Sequence, residues 1–324
     1  MQLRPLGNTS IRVSPVSMGC WPIAGMTSLG VTEADSLAAL QTSLDCGVNT
    51  FDTAYSYGLA GESEKLIAKA LGHRRDEIVI CTKGGIHYDA NAKMAKDGRP
   101  DTLRAQCEES LRRLRTDHVD LLYLHAPDPH TPVEVSAGEL KRLLDEGKTR
   151  AVGVSNFNVA QLDAFHRVCP ISAVQPAYNM LMREIEADVI PWCVSHRASV
   201  LVYWPLMKGL LSGGLPRDFK FEAKDGRAKY PMFQGEEWLR NQDLIDALRP
   251  VAAQAGAGER TLAQLVINWT IHQPGITSAI CGAKRADQAR DNAGGMGWKL
   301  TDAQLGAIDA ALKARGKPVT RAAV

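Results

Sequence analysis

The chain has 324 residues, of which 45% are hydrophobic and 23% are charged, and its formal net charge is +2. These values fit an ordinary globular protein with a sizeable core, and they give no reason to expect nucleic acid or a membrane as a partner. The sequence has no apolar run of 18 residues and no CxxC pair among its seven cysteines, and its first ten residues lack the apolar stretch expected of a signal peptide. We therefore expect a cytoplasmic protein without disulfides or a metal site.

Two kinds of segment alternate along the chain. Short β-branched runs predict strands at 16–20, 48–53, 77–82, 119–125, 150–155, 172–177, 199–204 and 276–281. Stretches with helical periodicity predict helices at 33–46, 62–71, 101–115, 133–146, 159–168, 184–196, 261–272 and 284–293. Eight strands that alternate with helices indicate an α/β fold of the (β/α)8 TIM barrel type. We expect residues 1–324 to form one domain of this kind.

Four segments lie outside the repeating pattern. Residues 2–14 predict an N-terminal β-hairpin with turn residues at 7–9, which would close the bottom of the barrel. Residues 237–255 and 301–315 predict two accessory helices, the second with Thr301 as its N-cap. The glycine- and proline-rich segment 205–236 has no clear period, so we expect a functional loop over the barrel mouth.

Polar residues stand where the predicted strands end. Asp52 ends the second strand and Tyr57 follows five residues later, Lys83 follows the third strand, and His125 ends the fourth. In a TIM barrel the C-terminal strand ends form the active site. A lysine ammonium favours the phenolate of a nearby tyrosine, and an aspartate can hold that lysine in place. Tyr57 could then exchange a proton with a carbonyl oxygen that His125 orients, while a cofactor supplies hydride.

Seven segments carry a family resemblance. They are FDTAYSYGLAGESE (51–64), CTKGG (81–85), ESLRRLRTDHVDLLYLH (109–125), VGVSNF (152–157), VQPAYNML (174–181), YWPLMKGLLSGG (203–214) and GAKRADQARDN (282–292). In this order the chain resembles the aldo-keto reductase superfamily from about residue 3 to 310. The resemblance implies reduction of aldehydes or ketones with a nicotinamide cofactor, or oxidation of a sugar or polyol hydroxyl in reverse.

The resemblance also implies individual roles. Asp52, Tyr57, Lys83 and His125 match the catalytic tetrad, with Tyr57 as general acid or base. The matches to cofactor-binding positions are Ser155, Asn156 and Gln175 at the nicotinamide carboxamide, Tyr203 at the nicotinamide face, Leu206 and Lys208 at the pyrophosphate, and Gly282, Lys284, Gln288, Asp291 and Asn292 at the adenosine end. Positive charge on Lys284 and Arg285 suggests NADP, with NADPH preferred over NADH.

The sequence departs from the common family pattern at three places. Trp204 stands where many members have serine, Gly213-Gly214 replaces Gly-Lys, and GAKRADQ replaces an arginine form of its motif. None of these positions belongs to the tetrad. We interpret Trp21, Tyr88 and Phe233 as residues of the substrate pocket, which would take a small carbonyl or alcohol.

Simpler interpretations stay open for single residues. Asp52 could cap a helix, Tyr57 could be a surface aromatic, and Ser155-Asn156 could cap the helix that follows. We interpret the basic run Arg112-Arg113-Arg115 as the solvated face of a helix. Two other functions are open as well: a cofactor-binding accessory protein that senses redox state with little turnover, and a Schiff-base aldolase that uses Lys83. The physiological substrate, the direction of reaction and the oligomeric state are not determined by the sequence.

Overall fold

A computed structural model describes residues 2–26, 30–89, 93–222, 225–256 and 260–319. Twelve strands lie in this part of the chain. They are β1 (Arg4–Pro5), β2 (Arg12–Val13), β3 (Val16–Gly19), β4 (Thr50–Asp52), β5 (Val79–Gly84), β6 (Ile86–Tyr88), β7 (Met94–Lys96), β8 (Leu121–Leu124), β9 (Val152–Ser155), β10 (Ala173–Gln175), β11 (Ser199–Tyr203) and β12 (Ser278–Gly282).

Eight of these strands close into one barrel in the order β3-β4-β5-β8-β9-β10-β11-β12, and β12 pairs with β3. Every pair in the barrel is parallel, with Asp52 opposite Cys81 and Lys83 opposite Tyr123. The strands are almost wholly buried because helices cover the outside and side chains fill the inside. The prediction of a (β/α)8 TIM barrel is confirmed.

Ten α-helices surround the barrel in the described residues. They are α1 (Glu33–Asp45), α2 (Glu62–Leu71), α3 (Pro100–Leu114), α4 (Val133–Asp145), α5 (Val159–His166), α6 (Val189–Ser195), α7 (Gly235–Ala253), α8 (Leu262–Ile271), α9 (Ala286–Ala293) and α10 (Asp302–Arg315). The two predicted accessory helices are α7 and α10. Thr301 caps α10 as predicted, since its side chain accepts a hydrogen bond from the Gln304 amide.

The N-terminal hairpin closes the bottom of the barrel. Strands β1 and β2 pair antiparallel, and the hairpin buries Leu6, Ile11 and Val13 against residues of the barrel interior. Its turn lies against the start of β11, where the Gly7 amide donates a hydrogen bond to Ser199 Oγ at 2.8 Å. The hairpin therefore supplies the bottom layer of the inner core, as the sequence predicted.

Three local features differ from the sequence prediction. A second hairpin, β6–β7, follows β5; its three-residue strands lack the apolar alternation that would predict them. The predicted helix at 184–196 divides at Asp188, whose side chain caps the start of α6. The described residues of segment 205–236 include three short 3-10 helices, at 207–212, 226–229 and 231–233, in place of an irregular loop.

The basic run at the end of α3 is not uniformly solvated. Arg112 and Arg115 are exposed, but the Arg113 side chain is only 8% exposed and pairs with Glu64 and Glu109. The interpretation of this run as a solvated face is therefore wrong for Arg113. All seven cysteines have free thiols, and none of the described helices is long and apolar enough to cross a membrane.

Candidate active site

Three neighbouring strands bring titratable side chains to one end of the barrel. Asp52 is the last residue of β4, Lys83 lies one residue before the end of β5, and His125 directly follows β8. These strands are adjacent and parallel, so their C-terminal ends meet at the barrel mouth. Tyr57 reaches the same place from the connection between β4 and α2.

Lys83 is the centre of the group. Its Nζ donates hydrogen bonds to Asp52 Oδ1 at 2.6 Å and to the Thr53 carbonyl at 2.7 Å, and lies 3.3 Å from Tyr57 Oη. Both Lys83 and Asp52 are almost fully buried. Burial alone would lower the pKa of Lys83, but Asp52 and Tyr57 raise that pKa to about 12. The lysine is therefore an ammonium at neutral pH, held within reach of a phenol.

Asp52 has a second partner in the barrel interior. Gln175 Nε2 donates a hydrogen bond to Asp52 Oδ2 at 2.7 Å. Burial raises the pKa of Asp52, whereas Lys83 and the Gln175 amide act in the opposite direction. Both carboxylate oxygens therefore have donors, which favours the charged form of a buried acid.

Tyr57 is only partly exposed and lies between two rings. Trp21 and His125 contact it edge to face, with ring centroids 5.0 and 5.9 Å away. Burial raises the pKa of Tyr57, and although the charge of Lys83 lowers it, the net shift is upward. The sequence argument had considered only the lysine. In this environment the hydroxyl keeps its proton at neutral pH.

His125 is uncharged in this setting. Burial lowers the pKa of His125 well below its usual value, and the positive charges of Lys83 and Lys96 lower it further. Its Nδ1 is buried without a hydrogen-bond partner among the described residues. A neutral imidazole carries one N–H donor, so His125 can hydrogen-bond to a substrate oxygen without adding charge.

The residues matched to the nicotinamide site form one hydrogen-bonded group. Ser155 Oγ donates to the Gln175 carbonyl at 2.8 Å, Asn156 Nδ2 donates to Ser155 Oγ at 3.1 Å, and Tyr203 Oη donates to Asn156 Oδ1 at 2.7 Å. Asn156 has a left-handed backbone with φ of 63°. The helix cap is Asn158, so the alternative interpretation of Ser155-Asn156 as the cap is wrong.

Trp204 contacts Tyr203 of this group edge to face, with ring centroids 5.5 Å apart. Its backbone φ is 61°, and left-handed values continue at Met207 and Lys208. The Lys208 ammonium lies 4.3 Å from the centre of the Trp204 ring and 4.7 Å from that of Tyr230. Leu206 is half-buried, and its carbonyl accepts the Gly209 amide at 2.9 Å. Trp204 thus contacts Lys208 directly through a cation–π interaction.

The residues matched to the adenosine end extend from the last residue of β12 through α9. Gln288 Oε1 accepts the Lys284 amide at 2.9 Å, and Asn292 Nδ2 donates to the Gly282 carbonyl at 3.1 Å. Asp291 Oδ1 accepts from Thr261 and Gln264 at the start of α8. Asp291 and Asn292 therefore already fasten α9 to its neighbours.

The three predicted pocket residues occupy different surroundings. Trp21 contacts Tyr57 directly, and Tyr88 is half-buried at the end of β6. Phe233 is buried in an aromatic group with Phe221 and Trp238, at centroid distances of 5.1 and 6.1 Å. A pocket role stays a prediction for all three, although Trp21 is the one that touches the tetrad.

Three other residues near the site were not predicted from the sequence. The Tyr230 ring makes a cation–π contact with Lys208, and the charge of Lys96 in the β6–β7 hairpin lowers the pKa of His125. Arg113 donates a hydrogen bond to the Tyr55 carbonyl, in the connection that carries Tyr57. The described residues contain no group of three or more His, Cys, Asp or Glu side chains that could hold a metal ion.

Known proteins resemble this chain in sequence. The Aldo/keto reductase family model matches residues 15–313. The aldo-keto reductase YhdN from Bacillus subtilis is 34% identical over 305 residues, which cover 93% of this chain and 90% of that protein. A probable aldo-keto reductase 1 from Glycine max is 30% identical, over 94% of this chain and 87% of that protein.

Solved structures resemble it as well. The glycerol dehydrogenase AKR11B4 from Gluconobacter oxydans has a TM-score of 0.90 at 33% identity, with 98% of this chain and 97% of that chain covered. The aldo-keto reductase AKR11C1 from Bacillus halodurans has a TM-score of 0.76 at 26% identity, with 100% and 98% covered. The match of family model, relatives and barrel shows that this chain belongs to the aldo-keto reductase family of oxidoreductases.

Proposed function

We propose that this protein is an NADP-dependent reductase of aldehydes and ketones, which can oxidise a sugar or polyol hydroxyl in the reverse direction. The observation that carries the proposal is the position of Tyr57 Oη, 3.3 Å from the buried Lys83 ammonium that Asp52 holds. A protonated phenol beside a fixed positive charge is a suitable general acid for a carbonyl oxygen.

The residues around the mouth fit a dinucleotide. Ser155, Asn156 and Gln175 offer hydroxyl and amide groups that match a carboxamide. Lys284 lies close enough to Arg227 and Arg285 for their charges to lower its pKa, after the larger effect of burial, while Asp225 acts in the opposite direction. Such a concentration of positive charge suits phosphate groups. When bound, the nicotinamide cofactor supplies or accepts the hydride.

Tyr57 performs the proton transfer in this proposal. Its raised pKa keeps the hydroxyl protonated at neutral pH, ready to protonate a substrate oxygen as negative charge develops there. Lys83 stabilises the phenolate that remains, and Asp52 keeps Lys83 charged and oriented. For alcohol oxidation the same phenolate accepts the proton. Neutral His125 donates a hydrogen bond that orients the substrate oxygen.

The two alternative functions are weaker. A Schiff-base aldolase needs a neutral lysine amine, whereas Asp52 and Tyr57 raise the pKa of Lys83 to about 12 despite its burial. A redox-sensing accessory protein does not require a Tyr57–Lys83 pair arranged for turnover. The single-domain organisation over residues 1–324 and the cytoplasmic location stay predictions.

The barrel mouth and one relative support a class of substrates to test first. Trp21 presents an aromatic ring beside Tyr57, which suits a small, partly apolar carbonyl. The structure with a TM-score of 0.90 is a glycerol dehydrogenase, so small polyols and the matching aldehydes and ketones belong in the first substrate screen.

Substitution of Tyr57 by Phe tests the mechanism. We expect Tyr57→Phe to lower kcat by at least about 100-fold, because removal of a general acid typically costs 10²- to 10⁴-fold. Cofactor binding should be unchanged, since the ring remains. Steady-state turnover and fluorescence titration with NADPH measure the two effects. Tyr178→Phe removes a tyrosine hydroxyl that donates to Glu186 and serves as the control. Wild-type turnover in Tyr57→Phe would contradict the mechanism.

Cofactor preference is tested at Lys284. Titration by quenching of tryptophan fluorescence should show tighter binding of NADPH than of NADH by the wild-type protein. We expect Lys284→Met to weaken NADPH binding about tenfold, the loss of roughly 1.4 kcal/mol that one charge-assisted hydrogen bond can supply, and to leave NADH binding nearly unchanged. Lys313→Met, at an exposed position of α10, is the matched control. An equal loss for both cofactors would exclude a role in 2′-phosphate selection.

A further inference from the structure

Tyr57 is carried by a connection that has little structure of its own. Residues 53–61 join β4 to α2, and we call them the catalytic loop. The Tyr55 amide donates to the Lys83 carbonyl at 3.0 Å, and the Tyr57 amide donates to the Ala54 carbonyl at 3.0 Å. Gly58 and Gly61 both have left-handed backbones, with φ of 99° and 75°. The position of the phenol therefore depends on contacts from outside the loop.

Arg113 of α3 supplies such contacts. Its Nη1 donates a hydrogen bond to the Tyr55 carbonyl at 2.9 Å, and its guanidinium lies 4.4 Å from the centre of the Tyr55 ring. The guanidinium also packs against Gly61, where a Cβ would stand 2.5 Å from it. One side chain thus contacts the loop on both sides of Tyr57.

A buried acid connects this arginine to the strand that carries Lys83. Arg113 Nη1 lies 3.2 Å from Glu64 Oε2, and Glu64 Oε1 accepts a hydrogen bond from Thr82 Oγ1 at 2.7 Å. Glu64 is fully buried, and Thr82 directly precedes Lys83. The chain of contacts runs from Tyr55 through Arg113 and Glu64 to β5.

We propose that Arg113 is a positioning residue for the reaction, which holds the catalytic loop so that Tyr57 Oη stays beside Lys83. The inference rests on the proposed function, because it assumes that Tyr57 transfers the proton. A guanidinium can serve the Tyr55 carbonyl, the Tyr55 ring and two carboxylates together, which an ammonium cannot. Displacement of a reacting group by about 1 Å can cost about 100-fold in rate.

The neighbouring arginine provides a matched comparison. Arg112 lies on the same helix and also pairs with Glu109, but its side chain is 73% exposed, and no hydrogen bond or ion pair joins it to the described part of the catalytic loop. A role in positioning therefore predicts different effects for two adjacent arginines.

The test measures kcat, KM, cofactor affinity and the pH profile of kcat for Arg113→Lys, Arg113→Met and Arg112→Met. We expect Arg113→Met to lower kcat about 10- to 100-fold with cofactor affinity unchanged. The pKa that governs kcat of Arg113→Met should rise, because Tyr57 Oη moves away from the Lys83 ammonium. Arg113→Lys should recover part of kcat, and Arg112→Met should behave as wild type. If Arg113→Met does not fold, Tyr55→Leu removes the stacked ring and leaves the Arg113–Glu64 pair in place.

Two results would overturn the inference. The first is a wild-type kcat and pH profile for folded Arg113→Met, or for Tyr55→Leu when Arg113→Met does not fold. The second is an equal loss of kcat in Arg112→Met. Tyr57→Phe is measured beside these variants: an active Tyr57→Phe protein would remove the proposed function itself, whereas an inactive one with active Arg113→Met removes only the positioning role.

Discussion

At the residue scale, two roles can be assigned to Gln175, one toward the cofactor and one toward Asp52. The family resemblance assigns it to the nicotinamide carboxamide, but its Nε2 donates to Asp52 Oδ2 at 2.7 Å. Gln175 is the last residue of β10 and is buried, so its side chain points into the barrel under the mouth. The hydrogen bond favours the charged form of Asp52 and thereby supports the ion pair with Lys83.

Replacement of Gln175 by Leu distinguishes the role in cofactor binding from the role in keeping Asp52 charged. The substitution removes a donor that lowers the pKa of buried Asp52, so that pKa should rise. Neutral Asp52 no longer holds Lys83, and we expect the acidic limb of the kcat profile to move to higher pH. The measurement is the pH dependence of kcat together with the dissociation constant of NADPH.

The control for Gln175→Leu is Gln242→Leu, which replaces another buried glutamine, in helix α7 and not on a barrel strand. This variant should keep the wild-type pH profile. Weaker NADPH binding with an unchanged pH profile in Gln175→Leu would show that Gln175 serves only the cofactor.

Residues differ in how far their positions can be predicted from sequence. Asp52, Lys83 and His125 could be placed at the barrel mouth because each lies next to a strand whose end is marked by the change from apolar to polar residues. Arg113 could not, since its burial depends on Gly61, which lies far away in the chain and leaves room for it. The direction of the Tyr57 pKa shift could not be predicted either, because the upward effect of burial exceeds the downward effect of the Lys83 charge.

At the scale of elements, the eight barrel strands were predictable because buried parallel strands have continuous apolar runs. Helix ends were predictable to within one or two residues where a cap such as Thr32 or Thr301 is present. The β6–β7 hairpin was not, because its short strands have no distinct pattern. The position of segment 205–236 over the mouth stays a prediction, and the cation–π contacts of Lys208 with Trp204 and Tyr230 join residues that no local periodicity connects.

At the scale of the whole molecule, the two ends of the barrel have different tasks. The C-terminal end carries the four residues of the proposed tetrad, and the N-terminal end is closed by the hairpin, whose apolar side chains complete the inner core. Residues at the bottom of a TIM barrel should therefore affect stability more than turnover. We expect a clear loss of stability on substitution of Gly7, because its backbone φ is 53° and a Cβ would stand 2.4 Å from the Ser172 carbonyl oxygen.

Gly7→Ala tests whether this closure stabilises the barrel. The left-handed backbone alone should cost about 1–2 kcal/mol. Because the carbonyl of Ser172 is backbone and cannot turn aside, we expect a further loss of about 1–3 kcal/mol as the hairpin shifts. Gly147→Ala is the matched control, since Gly147 has a φ of 75° and open space around it. Thermal unfolding should therefore show a clearly lower Tm for Gly7→Ala than for Gly147→Ala, with kcat per folded molecule unchanged in both. Equal Tm values would mean that the hairpin covers the barrel without contributing to its stability.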